Sequence, residues 1–251
     1  MRINTNVGAL TASKNAFVNN MATENSMRKL SSGLRISRAA DDAAGLSVAN
    51  KLRAQHRGLS AAAANAEQGN ALLGIAEGAA QTIERIIERQ KELLVQAASG
   101  QNSTVSSTLT TEVSTLNSEI SRIASAAKYQ GVAVFGTHSF AVDEDGGTFS
   151  VAATYSAPGS APTTSTGADT NLDAINTTLA AIGAGQNRLD YTVQNLKSAV
   201  VNVKAAESTI RDVDMAEEMA NFTKNNILTQ AAQAMLAQAN QGSQSVLNIL
   251  R

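Results

Sequence analysis

The side chains with the most obvious chemistry in this 251-residue chain are two histidines, His56 and His138, and one acidic turn, Asp143-Glu144-Asp145-Gly146. A histidine works as a base or metal ligand when a carboxylate, thiol or second imidazole stands at a useful spacing from it. These two lie in unlike contexts, and neither belongs to a His-Glu-x-x-His frame. Exposed or satisfied histidines are therefore expected. The acidic turn starts like a calcium loop but lacks the downstream oxygen ligands and the closing glutamate, so a hairpin turn is expected. Gly183-Ala184-Gly185 lacks the third glycine and the preceding strand of a dinucleotide site. Asn102, Asn176 and Asn221 each open a glycosylation triplet, a pattern common by chance. The sequence predicts no enzyme, no catalytic residue, no metal site and no cofactor.

The remaining polar chemistry is that of helix ends. Between Leu30 and Arg53 an apolar-periodic run closes, Ser31, Ser32 and Gly33 supply stop signals, and Asp41 and Asp42 precede a new periodic run. Carboxylates there can accept from the free N–H groups of a helix start and suit its dipole. Arg35, Ile36, Ser37 and Arg38 lie between, so an inter-domain joint is expected at Arg35, Ile36, Arg38, Asp41 and Asp42.

Composition narrows the class. Aromatics are 3% of the chain, tryptophan is absent, and the two prolines, Pro158 and Pro162, leave both halves free for uninterrupted helix. A net charge of −1 provides no basic field for nucleic acid or anionic lipid. Without cysteine there is no disulfide and no thiolate ligand. No run is long and apolar enough to cross a membrane, and the first residues lack the apolar core of a secretory signal. A soluble protein is expected, with signal-independent export left open.

Residues 3–30 form a thin amphipath with Leu10, Phe17 and Met21 at helical spacing. Over 43–98, Leu52, Leu59, Ala66, Leu73, Ala80, Ile87 and Leu94 recur every seven residues, with Ala62, Ala76, Ile83 and Ala97 three further on. That is a coiled-coil seam with small residues for close approach, and as a helix it would run roughly 80 Å. Gly58, Gly69, Gly74 and Gly78 inside it suggest close packing against a neighbour. A further helix is predicted over 104–128. A β-hairpin follows, with Phe140 and Val142, then Phe149 and Val151, flanking Asp143-Glu-Asp-Gly-Gly147, and then a loop over 156–170. From Leu172 to Val203 a second heptad seam appears, and 212–251 is again a weak, amide-rich amphipath. The organisation is mirrored, with strong helices inside and marginal ones at the ends. Those ends offer too little apolar surface to offset their ordering entropy alone, so they are expected to pair and to need copies of themselves around them.

Leu30-Ser-Ser-Gly-Leu-Arg-Ile36 followed by Asp41-Asp-Ala-Ala-Gly45 resembles the N-terminal signature of bacterial flagellins. Ser208-Thr-Ile-Arg-Asp-Val-Asp-Met-Ala-Glu-Glu-Met219, Asn226-Ile-Leu-Thr-Gln-Ala231, Met235-Leu-Ala-Gln-Ala-Asn-Gln241 and Val246-Leu-Asn-Ile-Leu-Arg251 resemble its C-terminal half, and Gln186-Asn-Arg-Leu-Asp190 is also similar. Together these cover about 1–135 and 171–251. The resemblance implies a mainly α fold: a long antiparallel coiled-coil rod with one small β-hairpin, the N- and C-terminal helices paired. It implies an inner filament-core domain from 1–42 plus 212–251, and a rod domain over 43–211 with hairpin and short variable loop at about 132–170. Leu10, Phe17, Met21, Leu228, Met235, Leu236, Leu247 and Leu250 are then the expected filament-core packing residues. Only about 136–170 remains where larger members insert outer domains.

The implied function is a structural subunit that polymerises into the flagellar filament for swimming, secreted by type III export. Its partners would be itself, an export chaperone, and the filament cap and hook-junction proteins. By the same resemblance Arg89, Leu93 and Gln96, with Glu112, match the stretch read by the vertebrate Toll-like flagellin receptor. Residues 89, 93 and 96 share a helix face off the heptad seam, so Leu93 has no intramolecular role assigned; subunit contact ranks before receptor contact there. A hook–filament junction protein, or an exported coiled-coil adhesin or ligand, are the alternatives.

Overall fold

The computed structural model describes residues 5–99 and 105–249, with side chains as far as residue 242. The described chain is mainly α-helical. Its helices are α1 (Val7–Ser32), α2 (Ala43–Ala97), α3 (Ser106–Ala126), α4 (Ser165–Arg211) and α5 (Met215–Ile249). Between α3 and α4 lie β1 (Lys128–Tyr129), β2 (Val132–Ala133), β3 (Gly136–Ala141) and β4 (Thr148–Ala153). The chain divides into two compact units, Met1–Ala54 with Val203–Arg251, and Gln55–Asn202.

In the middle unit the heptad seam of α2 is the core. Ala66, Leu73, Ala80 and Ile87 are fully buried, Leu59 and Leu94 nearly so, and Ala62, Ala76 and Ile83 join them from three positions on. α4 answers with Ile175, Ile182, Leu189 and Leu196. The clusters pair Leu73 with Ile182 and Leu189, Ile87 with Ile175, and Leu94 with Ala168. Residue numbers rise along one helix as they fall along the other, so α2 and α4 are antiparallel. Polar pairs on the rims keep the same register: Lys197 to Glu67 at 2.7 Å, Gln186 Nε2 to Glu77 Oε2 at 2.9 Å, Lys91 to Asp169 at 2.6 Å.

α3 adds Val113 and Ile120 to these clusters. A buried polar residue fixes it: Gln90, at a seam position, donates through Nε2 to the Val113 carbonyl at 3.0 Å. The hairpin lies where the alternating pattern predicts it, with Phe140 opposite Phe149 and His138 opposite Val151. Residues 143–147 are its turn: Gly146 N donates to Asp143 O at 3.2 Å, and Val142 N to Gly147 O at 2.9 Å. His138 Nε2 lies 3.0 Å from the Val134 carbonyl, which accounts for that histidine structurally.

Two features depart from the sequence expectation. A second tiny hairpin, β1–β2, turns on Gln130 (φ 51°) and Gly131 (φ 85°), the paired positive angles of a tight hairpin turn. Asn-Gly is the strong signal for that turn, and Gln-Gly is a weak one. α4 begins at Ser165, so 165–170 is helix where a loop is expected. Ala168, buried against Leu93, Leu94 and Val113, supplies the packing that outweighs the Ser/Thr/Gly composition.

Candidate functional site

In the terminal unit α1 and α5 pack against each other in opposite directions. Asn6 caps α1, its Oδ1 accepting from Ala9 N at 3.0 Å while its Nδ2 donates to the Ala239 carbonyl at 3.0 Å. At the other end Lys29 approaches Glu218 at 3.9 Å. The covered stripe of α1 runs through Ala9, Ala12, Ala16, Asn19, Thr23, Ser26 and Leu30, with Ala22, Arg28 and Lys29 partly covered beside it. Those of α5 are Glu218, Phe222, Asn225, Thr229, Ala232, Leu236 and Ala239. Both sets alternate three and four, which is a heptad seam written mostly in small and polar residues.

Five bulky residues of α1 point the other way. Val7, Leu10, Phe17, Val18 and Met21 fall within about 100° of one another and roughly opposite the covered stripe; Leu10 is 61% exposed and Phe17 65%. On α5, Leu228 and Met235 are also exposed, while Leu236 is half-buried in the pair. The side chain of Leu247, and Leu250 altogether, lie outside the described residues. A soluble helix that turns its large apolar face outward marks an interaction surface.

The joint is built from hydrogen bonds. Gly33 ends α1 in the left-handed region at φ 70°. The following strand of chain pairs with the α4–α5 break: Leu34 bridges Asp212, Arg35 N donates to Arg211 O at 2.7 Å, and Val213 N to Gly33 O at 3.1 Å. Arg35 Nη2 reaches the Ile210 carbonyl at 2.5 Å, and Ile36 is buried beneath. The two aspartates divide the capping work. Asp42 Oδ1 accepts from Gly45 N at 2.9 Å at the start of α2. Asp41 Oδ2 accepts from Ser37 N, Ser37 Oγ and Arg38 N at 2.9–3.2 Å, which holds its carboxyl below the usual carboxylate range. The Arg38 side chain is exposed. Asp214 caps α5, accepting from Ala216 N at 2.8 Å and Glu217 N at 3.2 Å.

On the middle unit Arg89 and Glu112 are exposed and meet at 3.7 Å, and Gln96 is exposed one turn beyond Leu93. Leu93 corrects the sequence reading. It is 1% exposed and packs in one cluster with Leu94, Val113 and Ala168, against Leu109 and Leu116. The heptad count sees only the face of α2 that meets one partner; here α3 and α4 both press on it, so the neighbouring position is core as well.

Among the described residues no group of three His, Asp or Glu side chains could hold a metal ion, and no helix is long and apolar enough to cross a membrane. Similarity to known proteins gives the surface its context. Residues 3–138 match the bacterial flagellin N-terminal helical region, and 166–250 the C-terminal helical region. The chain belongs to the bacterial flagellin family. It is 38% identical over 306 residues to a flagellin of Bacillus subtilis and 41% over 272 residues to a flagellin of Halalkalibacterium halodurans, each alignment covering both chains fully. It is also 40% identical over 287 residues to the flagellar filament 33 kDa core protein of Treponema phagedenis, again over the whole of both.

Flagellins are structural proteins, and membership makes this chain a self-polymerising subunit of the extracellular flagellar filament. The residues between the two flagellin regions, 139–165, comprise the second half of β3, its turn, β4 and the loop that leads to the start of α4. The small-residue seams of α1 and α5 escape a search for large apolar residues. Their signal in the sequence is Ala, Asn, Thr and Ser recurring at three and four, joined on α5 by Glu218, Phe222 and Leu236.

Proposed function

We propose that this flagellin polymerises by coupled folding and assembly, its α1–α5 pair becoming stable only against the same pair in neighbouring subunits. The observation that carries this reading is the outward placement of Leu10, Phe17 and Met21, opposite a seam of alanine and small polar residues. At roughly 25 cal/mol per Å² of apolar surface, so small a seam contributes little against the cost of ordering two helices. Burying the outward stripe against copies of the chain supplies the rest. Residues 1–42 with 212–251 form the filament-core segment in this reading, and 43–211 the part around it.

A chain with marginal ends suits type III export in an extended state. It then needs a chaperone to shield those ends, and cap and hook-junction proteins to receive them. The test is to add sheared filament seeds to purified subunit and to a subunit lacking 212–251. Elongation by the full chain alone, seen by negative-stain electron microscopy with rising helicity, is expected. Elongation by the truncated chain would sink the mechanism.

Exposure of Arg89, Gln96 and Glu112 around buried Leu93 favours a second, compatible reading. The polar heads would be read by the vertebrate Toll-like receptor in the free subunit, with Leu93 holding their surface in place. Arg89→Ala with an unchanged melting temperature and a lowered response in receptor-bearing reporter cells would support it; an unchanged response would remove it.

A further inference from the structure

Sulfur in this chain is confined to its ends. The six methionines are Met1, Met21, Met27, Met215, Met219 and Met235, and there is no cysteine. Met1 lies outside the described residues. The other five sit on α1 and α5, and each is about half exposed or more: Met21 50%, Met27 54%, Met215 and Met219 49%, Met235 63%. The middle unit buries leucine, isoleucine, valine and alanine, so methionine serves nowhere as core filler. A thioether is flexible and polarizable, which suits a surface that must fit against several neighbours. The same sulfur is the chain's most oxidisable group.

We propose that these five methionines are an oxidant-sensitive modification site that gates assembly: a peroxide-class oxidant converts them to sulfoxides in the free subunit and so keeps it out of the filament. The inference rests on the polymerisation reading above. In the step, a sulfur lone pair attacks one peroxide oxygen, forming the S–O bond as the O–O bond breaks. The leaving hydroxide takes up the proton of the transferred oxygen, and water results. The sulfur is oxidised by two electrons and the peroxide is reduced by two. The product is polar and needs a hydrogen-bond donor, which an apolar contact does not offer. Met21 lies in the outward stripe of α1 with Leu10 and Phe17, and Met215 and Met219 lie one turn apart on α5. A sulfoxide there remains solvated in the free subunit and becomes costly only when a neighbour covers it. Burial in the filament shields the thioethers in turn, so the site acts before assembly and not after it.

The experiment treats free subunit and finished filament with limited hydrogen peroxide, maps oxidation by mass spectrometry, and measures elongation of untreated seeds by each subunit preparation. Expected are faster oxidation of the five residues in the free subunit, and a critical concentration raised roughly tenfold or more, the scale of burying one poorly satisfied polar group. Treatment with methionine sulfoxide reductases of both stereospecificities should restore elongation. A chain with Met21, Met27, Met215, Met219 and Met235 all changed to leucine, a nearly volume-conserving swap, should elongate seeds before and after peroxide alike. If that chain fails to fold, Met21→Leu and the Met215→Leu/Met219→Leu pair should each give partial resistance. Equal oxidation rates in subunit and filament, normal elongation by oxidised subunit, or peroxide damage undiminished in the leucine variants would each overturn the proposal. Failure of untreated subunit to elongate seeds would instead remove the polymerisation reading.

Discussion

Arg53 Nε donates to Glu207 Oε1 at 3.0 Å, tying the early turns of α2 to the end of α4 inside the terminal unit. Glu207 is 5% exposed and also receives Lys204 Nζ at 3.0 Å, with Arg211 at 3.8 Å. The Lys204 and Arg53 hydrogen bonds favour the charged form and outweigh the opposing effect of burial, holding its carboxyl below the usual 4.5. A depressed carboxylate contributes stability that is present above its unfolded value and is lost as pH falls through the folded one. Glu207→Gln should therefore cost about 2 kcal/mol near neutral pH, the scale of hydrogen bonds to a charged group. That difference from the parent should shrink as pH falls below 4.5 and through the lower folded value. Thermal melts of both proteins across that range check it, and a difference that persists in acid would contradict the assignment.

Glycines on these helices divide by what surrounds them. A Cβ on Gly185 would stand 2.8 Å from Val151 Cγ1 and 3.2 Å from Leu73 Cδ1, and one on Gly45 would stand 2.8 Å from Ile36 Cδ1. Beside Gly74 there is open space. Gly185→Ala is expected to lower stability by about 1–3 kcal/mol through overpacking. Gly74→Ala should raise the stability of the free subunit by about 0.5–1 kcal/mol through helix propensity. Denaturant unfolding of the pair reads both signs.

The contrast also shows where the sequence was legible. Heptad spacing identified the α2 and α4 seams because most of their buried positions are large apolar residues or alanine; it passed over Gln90, a buried polar residue at a seam position. It attributed Gly74 and Gly78 to close packing, yet a Cβ added at either would meet no other part of the subunit within 4 Å. It put Leu10, Phe17 and Met21 at helical spacing on one stripe, but it could not say that the covered side of α1 would be the opposite, small-residue one. Periodicity reports that a face exists, not which neighbour takes it. The Arg53–Glu207 pair joins residues 154 apart in sequence and leaves no local pattern at all.

Leu93 and Arg89 allow stability to be separated from the proposed receptor contact on one helix. Leu93→Ala removes a fully buried side chain from the cluster with Val113 and Ala168 and should cost about 2–5 kcal/mol. Arg89→Ala removes a half-exposed ion pair to Glu92 and Glu112, worth no more than about 1 kcal/mol. Any loss of receptor response in Leu93→Ala must therefore be compared at matched folded fraction, by circular dichroism on the same samples. If Leu93→Ala proves as stable as the parent, the packing of α3 on that face is wrong.

Phe17 provides the most direct separation of folding from assembly. At 65% exposure it contributes little to the free subunit, so Phe17→Ser should leave its melting temperature within a degree or two, the usual scale of surface changes. In the filament the same ring is to be covered by a neighbour, and losing its burial removes about 2 kcal/mol per contact. Seeded elongation should then need a subunit concentration higher by roughly thirtyfold. Ala16→Ser, on the covered side of α1, should likewise leave the melt of the free subunit nearly unchanged and impair elongation, since the α1–α5 pair it disturbs becomes stable only in the filament. Unimpaired elongation by Phe17→Ser would mean that the outward stripe is not what neighbouring subunits bury, and that the exposed apolar residues of α5 carry the contact instead.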